Sequence, residues 1–103
     1  MTAEVIWRPT ARQDLLDIYV TIGFDNPVAA ERFYATLEMR ADSLMHHPRL
    51  GPRRPDIRPA ARVLVEGPYL ILYEVHPDRE EGPVDRVDIV RVVDGRRDLT
   101  KLF

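Results

Sequence analysis

Apolar positions recur along this chain with two different periods. From Pro9 to Gly23, "PTARQDLLDIYVTIG" spaces Ala11, Leu15, Ile18, Tyr19 and Ile22 by one, three or four residues, which lines one face of a helix. Pro9 suits the first turn, where its missing N–H would have no partner, and Gly23 predicts the stop. Asn26 is a good N-cap and Pro27 a good first helical residue, so a second helix is predicted over "VAAERFYATLEMRADSLMHH". Its stripe is Ala30, Phe33, Leu37, Ala41 and Leu44, and Pro48 ends it by pushing the preceding residue out of the α region. Two helices joined by about three residues must fold back on each other as an antiparallel hairpin.

The other period is two. "AEVIW" (3–7), "RVLVE" (62–66), "YLILYEV" (69–75) and "VDRVDIVRVV" (84–93) read as strands, with Gly67-Pro68 as a tight turn and 76–83 as a polar loop. The predicted order is β-α-α-β-β-β, an α+β domain over residues 1–103 with a helical hairpin packed on a mostly antiparallel sheet. In 69–75 one face shows Tyr69, Ile71, Tyr73 and Val75, and the other Leu70, Leu72 and Glu74. Both are largely apolar, so both must be covered. The hairpin covers one; the tail beyond Gly95, the connector 48–59 or a partner must cover part of the other.

Composition changes this picture at three points. The chain has no cysteine, which removes disulfides, thiol nucleophiles and zinc–thiolate sites. It has no 18-residue apolar run and no signal-like start, which leads to the expectation of a cytoplasmic protein away from membranes. The formal charge of −2 argues against gripping nucleic acid through the overall field. The charge is uneven, however. Arg49, Arg53, Arg54, Arg58 and Arg62 face only Asp56 within 47–62, a local +4 that leaves −6 on the remainder. The four prolines of this stretch stiffen a connector that crosses from helix to sheet. Its arginines are either solvated or part of a contact with an acidic partner.

Little in the chain looks like chemistry. His46 and His47 are adjacent and diverge on a helix, and His76 follows a strand, so no metal site or other cofactor is expected. Five scattered glycines form no phosphate cradle. Arg62 and Arg91 could share the sheet face away from the helices, where they would serve a ribonuclease as cations for a phosphorane. Alternation puts Arg91 beside Ile89 and Val93, where a salt bridge to Glu66, Glu74 or Asp94 is the plainer reading. On the helices, Leu16, Val20, Tyr34 and Met45 fall off the core stripes and form a candidate second apolar strip.

Three motifs together, "NPVAAERF", "HPRLG" and "IVRVVDGRRD", resemble the ParE branch of the RelE/ParE toxins of bacterial type II toxin–antitoxin pairs. The similar elements span nearly the whole chain. The resemblance implies a toxin that acts by binding DNA gyrase, without sequence-specific nucleic-acid binding. It also implies a ParD-like antitoxin that neutralises the toxin in a hetero-oligomer. The residues assigned to antitoxin binding are Leu16, Tyr19, Val20, Tyr34, Leu37 and Met45, and those assigned to the target are Arg91, Arg96, Arg97, Leu102 and Phe103. The RelE branch implies the alternative, ribosome-dependent mRNA cleavage using Arg62 and Arg91. The lysines and the late aromatic acid–base group of that branch are missing, the tail carrying Leu99, Leu102 and Phe103 instead. A degenerate toxin that only binds its antitoxin is the third possibility. A further departure is Asp94, where the family pattern often has histidine.

Overall fold

A computed structural model describes residues 2–101, and Leu102 and Phe103 lie outside them. The elements follow the predicted order: β1 (Glu4–Trp7), α1 (Pro9–Asp25), α2 (Pro27–Asp42), β2 (Arg62–Glu66), β3 (Tyr69–His76) and β4 (Arg86–Asp94). Single 3-10 turns at Ser43–Met45 and Leu99–Lys101 follow α2 and β4. The second helix thus tightens into a 3-10 turn before it reaches His47.

Gly23 does not stop the first helix. The break falls at Asn26, held extended at φ −150° and ψ 90° because Pro27 follows it. Asn26 serves both helices: its N–H closes α1 on the Ile22 carbonyl at 2.9 Å, and its side-chain oxygen accepts the Ala29 N–H at 3.0 Å. The predicted link of about three residues is this single one. Gly23 instead lies where the helices approach, with an added Cβ 3.5 Å from that of Ala30. The hairpin is antiparallel, since Arg12 pairs with Glu38 while Tyr19 meets Tyr34 and Glu31.

The sheet has the order β1-β4-β3-β2, with β1 parallel to β4 and the other pairs antiparallel. Ala11, Leu15, Leu37, Ala41 and Leu44 of the helical layer pack with Ile71, Tyr73, Val75, Val87, Ile89 and Val92. Much of the second face is covered by the chain itself: Ile57 and Ala61 of the connector and Leu99 of the tail cover Val63, Leu72 and Val93, while Val65 stays exposed. β4 carries a bulge, because Leu72 opposes Arg91 while Tyr73 opposes Ile89, which leaves Val90 as the extra residue. Past it the faces exchange: Val92 rejoins Ile89 in the helix-side core, and Val93 moves to the second face. Strict alternation, which put Arg91 with Ile89 and Val93, fails at this point.

The connector is fastened at Gly51. Its N–H donates to the buried Tyr73 hydroxyl at 2.8 Å, and its carbonyl accepts from Arg62 Nη1 at 2.9 Å. Only glycine fits, since a Cβ would stand 2.4 Å from the Val63 carbonyl oxygen. The next residues pair along the edge of β2: Val63 N–H donates to Pro52 O, and Arg54 N–H to Ala61 O. That covers the start of an edge that would otherwise be open.

Gly51→Ala is expected to destabilise the fold by about 2 kcal/mol through overpacking. Gly23→Ala, with room for its methyl inside a helix, should stabilise by about 0.5–1 kcal/mol. Circular-dichroism melts should move in opposite directions, by about 4–8 °C per kcal/mol.

Candidate binding surfaces

Both arginines considered for phosphate chemistry are committed to the chain. Arg62 pairs in register with Tyr73 and Arg91 with Leu72, consecutive residues whose side chains point to opposite faces of β3. They do not converge. Arg62 is buried against Gly51, and its other neighbours are the Arg49 carbonyl at 3.5 Å and Glu80 at 3.7 Å. Tyr73, the titratable group beside it, is fully buried, and burial pushes its phenol up, so it stays protonated. Arg91 forms a two-pronged pair with Asp14 of α1, at 2.6 and 3.1 Å. The same carboxylate accepts the Val92 N–H at 3.0 Å, on the stretch of β4 beyond the last β1 partner, Trp7. The hydrogen bonds that Arg91 donates to the Asp14 carboxylate hold its guanidinium above its ordinary range. The salt bridge expected for Arg91 exists, but its partner is Asp14 rather than Glu66, Glu74 or Asp94. Arg91 is therefore engaged within the chain, with 22 % of its side chain exposed.

The basic connector is consumed in the same way. Arg49 donates to the carbonyls of Arg79 and Gly82 at 2.8 and 2.9 Å. Arg53 holds Asp78 at 2.8 Å and also Glu80. Arg54 pairs with Asp56 at 2.8 Å, and Arg58 reaches Glu74 at 3.5 Å. The excess of positive charge read from the sequence thus faces the β3–β4 loop and the sheet of the same chain.

Glu74 and Asp88 lie directly opposite each other across β3 and β4, only 7 % and 6 % exposed. Two such carboxylates would repel. Arg8 bridges them, at 3.5 Å to Glu74 and 3.0 Å to Asp88, while Arg86 holds Asp88 at 2.9 Å and His76 stands 3.3 Å from it. Burial alone would push the Asp88 carboxyl up, but the hydrogen bonds from Arg8 and Arg86 outweigh it and hold the group below the usual range. Among the described residues no group of three histidines and acids could hold a metal ion. His46 and His47 are exposed at the end of the hairpin.

The unspent surface is the outer side of the hairpin. Leu16, Val20 and Phe24 follow one another every four residues along α1, and Phe24 is 88 % exposed. Val28 and Met39 are exposed on α2. Tyr19 and Tyr34 meet edge to face between the helices, centroids 5.6 Å apart, both half-buried. Tyr19 donates to Glu31 at 2.5 Å, and that hydrogen bond raises its phenol. Met45 is half-buried on the 3-10 turn. Leu37 is the exception among the residues assigned to antitoxin binding: it is 1 % exposed and belongs to the core. Phe24, Val28 and Met39 were missed by sequence reading. Taking Gly23 as the stop hid Phe24, although its four-residue spacing from Val20 was a usable signal.

Two grooves flank the helices. One, of about 340 Å³, lies between α2 and the β2–β3 turn and is lined by Val28, Phe33, Pro68 and Tyr69 among others. The second, of about 290 Å³, runs between α1 and the end of β4 and includes Asp17, Thr21, Asp94 and Arg97. At the tail, Arg96 lies against Asp94, and the hydrogen bonds from its side chain and backbone N–H bring the Asp94 carboxyl down to about 2. Arg97 is exposed, and Leu99 docks on the second sheet face.

A helical hairpin on a four-stranded mixed sheet, with Arg62 and Arg91 paired internally and most of its exposed large apolar side chains on the helices, has the layout of a protein-binding module. Residues 5–99 match the family model described as the ParE toxin of the type II toxin–antitoxin system parDE. The chain belongs to that family and is a toxin of the type II toxin–antitoxin class. Its fold is similar to a solved chain titled "Chromosomal ParDE TA system from P. aeruginosa", with a TM-score of 0.72 at 20 % identity, covering 89 % of this chain and 95 % of that one. No curated protein matches the chain.

The depressed Asp88 carboxyl links stability to pH. Its contribution is present above the ordinary aspartate value of about 3.9 and is lost as pH falls from there through the lower folded-state value. Melting temperatures from pH 7 down to pH 2.5 should drop most steeply below about pH 4. Asp88→Asn should lower the melt at pH 7 and flatten that acid limb.

Proposed function

We propose that this toxin works in the cytoplasm by gripping proteins rather than by catalysis. Its target is DNA gyrase, and a ParD-like antitoxin silences it by docking on the outer side of the helical hairpin in a toxin–antitoxin hetero-oligomer. The observation that carries the reading is a contrast within one molecule. Arg62 and Arg91 are both spent on intrachain partners, while Leu16, Val20 and Phe24 form an uncovered apolar stripe. Leu16 and Val20 make the direct contacts, Tyr19 and Tyr34 offer ring edges between the helices, Met45 closes one end, and Leu37 acts only from behind by supporting α2. Target binding falls to the tail, through Arg96, Arg97, Leu102 and Phe103. No helix among the described residues is long and apolar enough to cross a membrane.

Three measurements test this. Purified toxin incubated with gyrase, ATP and plasmid should yield cleaved or unrelaxed DNA; ribosome-dependent mRNA cutting would instead make it a RelE-like nuclease, and inactivity in both assays a degenerate toxin. Co-expression with the neighbouring open reading frame should rescue growth. Leu16→Glu with Tyr34→Glu should weaken the toxin–antitoxin complex at least tenfold by titration, the scale of about 1.4 kcal/mol. Unchanged affinity would move the antitoxin off the hairpin.

A further inference from the structure

The stripe on α1 does not stand in a neutral field. Around it on the outer hairpin lie Asp17, Asp25, Glu31 and Asp42, all exposed. None of the four has a salt bridge among the described residues; Asp17 and Glu31 accept one neutral hydrogen bond each, from Gln13 and Tyr19. The three arginines of the helices do little to offset them. Arg12 is occupied with Glu38 and with the Trp7 ring, 4.6 Å from its centroid, and Arg40 donates to the Val65 carbonyl, which leaves Arg32. The contrast with the opposite sheet face is direct, since there Glu74 and Asp88 are bracketed by Arg8, Arg58 and Arg86. Asp25 follows Phe24 at one end of the stripe, and Asp42 ends α2 beyond the other, past the Arg12–Glu38 pair.

We propose that the segment docking on this hairpin is a cationic amphipathic helix: an apolar seam that meets Leu16, Val20 and Phe24, flanked on both sides by Lys or Arg that neutralise Asp17, Asp25, Glu31 and Asp42. This rests on the reading of the hairpin as the antitoxin's docking surface and adds the chemistry of the docked segment. The four-residue spacing selects a helix, because exposed apolar side chains at that interval rise about 6 Å per step, matching the i, i+4 ridge of a partner helix. The charge selects its flanks. Four uncompensated carboxylates beside an apolar strip repel an acidic helix and attract a basic one, with rim charges acting mainly on partner choice and association rate.

The probes are two fluorescein-labelled helical peptides of about 20 residues with the same leucine seam, one flanked by lysines and the other by glutamates. At about 50 mM salt the lysine peptide should bind the full-length toxin at least tenfold tighter than its acidic twin. At about 500 mM, where screening shortens the reach of these charges, the gap should shrink to a few-fold. Asp25→Lys with Asp42→Lys should erase the preference. Neither carboxylate holds a partner, and a cation is favoured at a helix C-terminal end, so this variant keeps the fold. Leu16→Glu should weaken both peptides. Equal binding of the two, preference for the acidic peptide, a preference untouched by the two lysines, or no binding of either would overturn the proposal. The growth-rescue assay separates this from the broader reading: rescue with no charge preference sinks the cationic helix and leaves the antitoxin standing, whereas absence of rescue sinks the antitoxin reading and with it the identity of the docked segment.

Discussion

Gly51 hands its N–H to the hydroxyl of Tyr73 and takes the guanidinium of Arg62 on its carbonyl, and those two hydrogen bonds decide where residues 48–61 lie. With the connector pinned there, Ile57 and Ala61 reach Val63 and Leu72, and much of the second face of the sheet is covered without help from another molecule, Val65 staying exposed on it. Arg49 and Arg53 come within reach of the β3–β4 loop, and Arg58 within reach of Glu74. A buried polar group is costly unless paired; here Gly51, Tyr73 and Arg62 satisfy one another, with Arg62 Nε alone of this cluster left without a hydrogen bond among the described residues. The arginines that look like a surface for acidic ligands are thereby turned inward.

This arrangement has a functional side. Asp14 does for α1 what Gly51 does for the connector: it secures the helix to β4 through Arg91 and the Val92 N–H. Both faces of the sheet are then occupied, one by the hairpin and one by connector and tail. What is left for other proteins is chiefly the outside of the hairpin, its flanking grooves and the tail, with Val65 and Leu50 also exposed on the β2 side. A fold that spends its cations on itself leaves the carboxylates of the helices as the dominant outward charge, which is how a chain with net charge −2 comes to have sharply different sides.

The helices and strands were legible in the sequence because period and punctuation agree in them. Pro27 and Gly67-Pro68 each interrupt the pattern where the structure does, and Gly67 supplies the positive φ of the β2–β3 turn, whereas α2 ends at Asp42, short of the stop predicted at Pro48. The errors share one cause. Gly23 signals a helix end locally, but the approach of Ala30 is a tertiary matter. The bulge at Val90 has no marker in "VDIVRVV" and transfers Val93 to the other face, so face reading beyond Ile89 could not succeed. Arg91 finds Asp14 across 77 positions, and Arg53 finds Glu80 across 27. Pairings at such separations are set by topology and not by neighbours. The candidate surface was half legible: Leu16 and Val20 stood out as surplus to the core, but the burial of Leu37 depended on how α2 turns toward the sheet.

Asn26 ends one helix and begins the next. A hairpin with a single-residue joint has no slack: inserting or deleting one position there would rotate the second helix by about 100° about its own axis relative to the first. The two rows of side chains that the helices present are therefore held like teeth on one key. Partner and toxin must drift in step along this surface, because the joint cannot flex to accommodate a mismatch on either row.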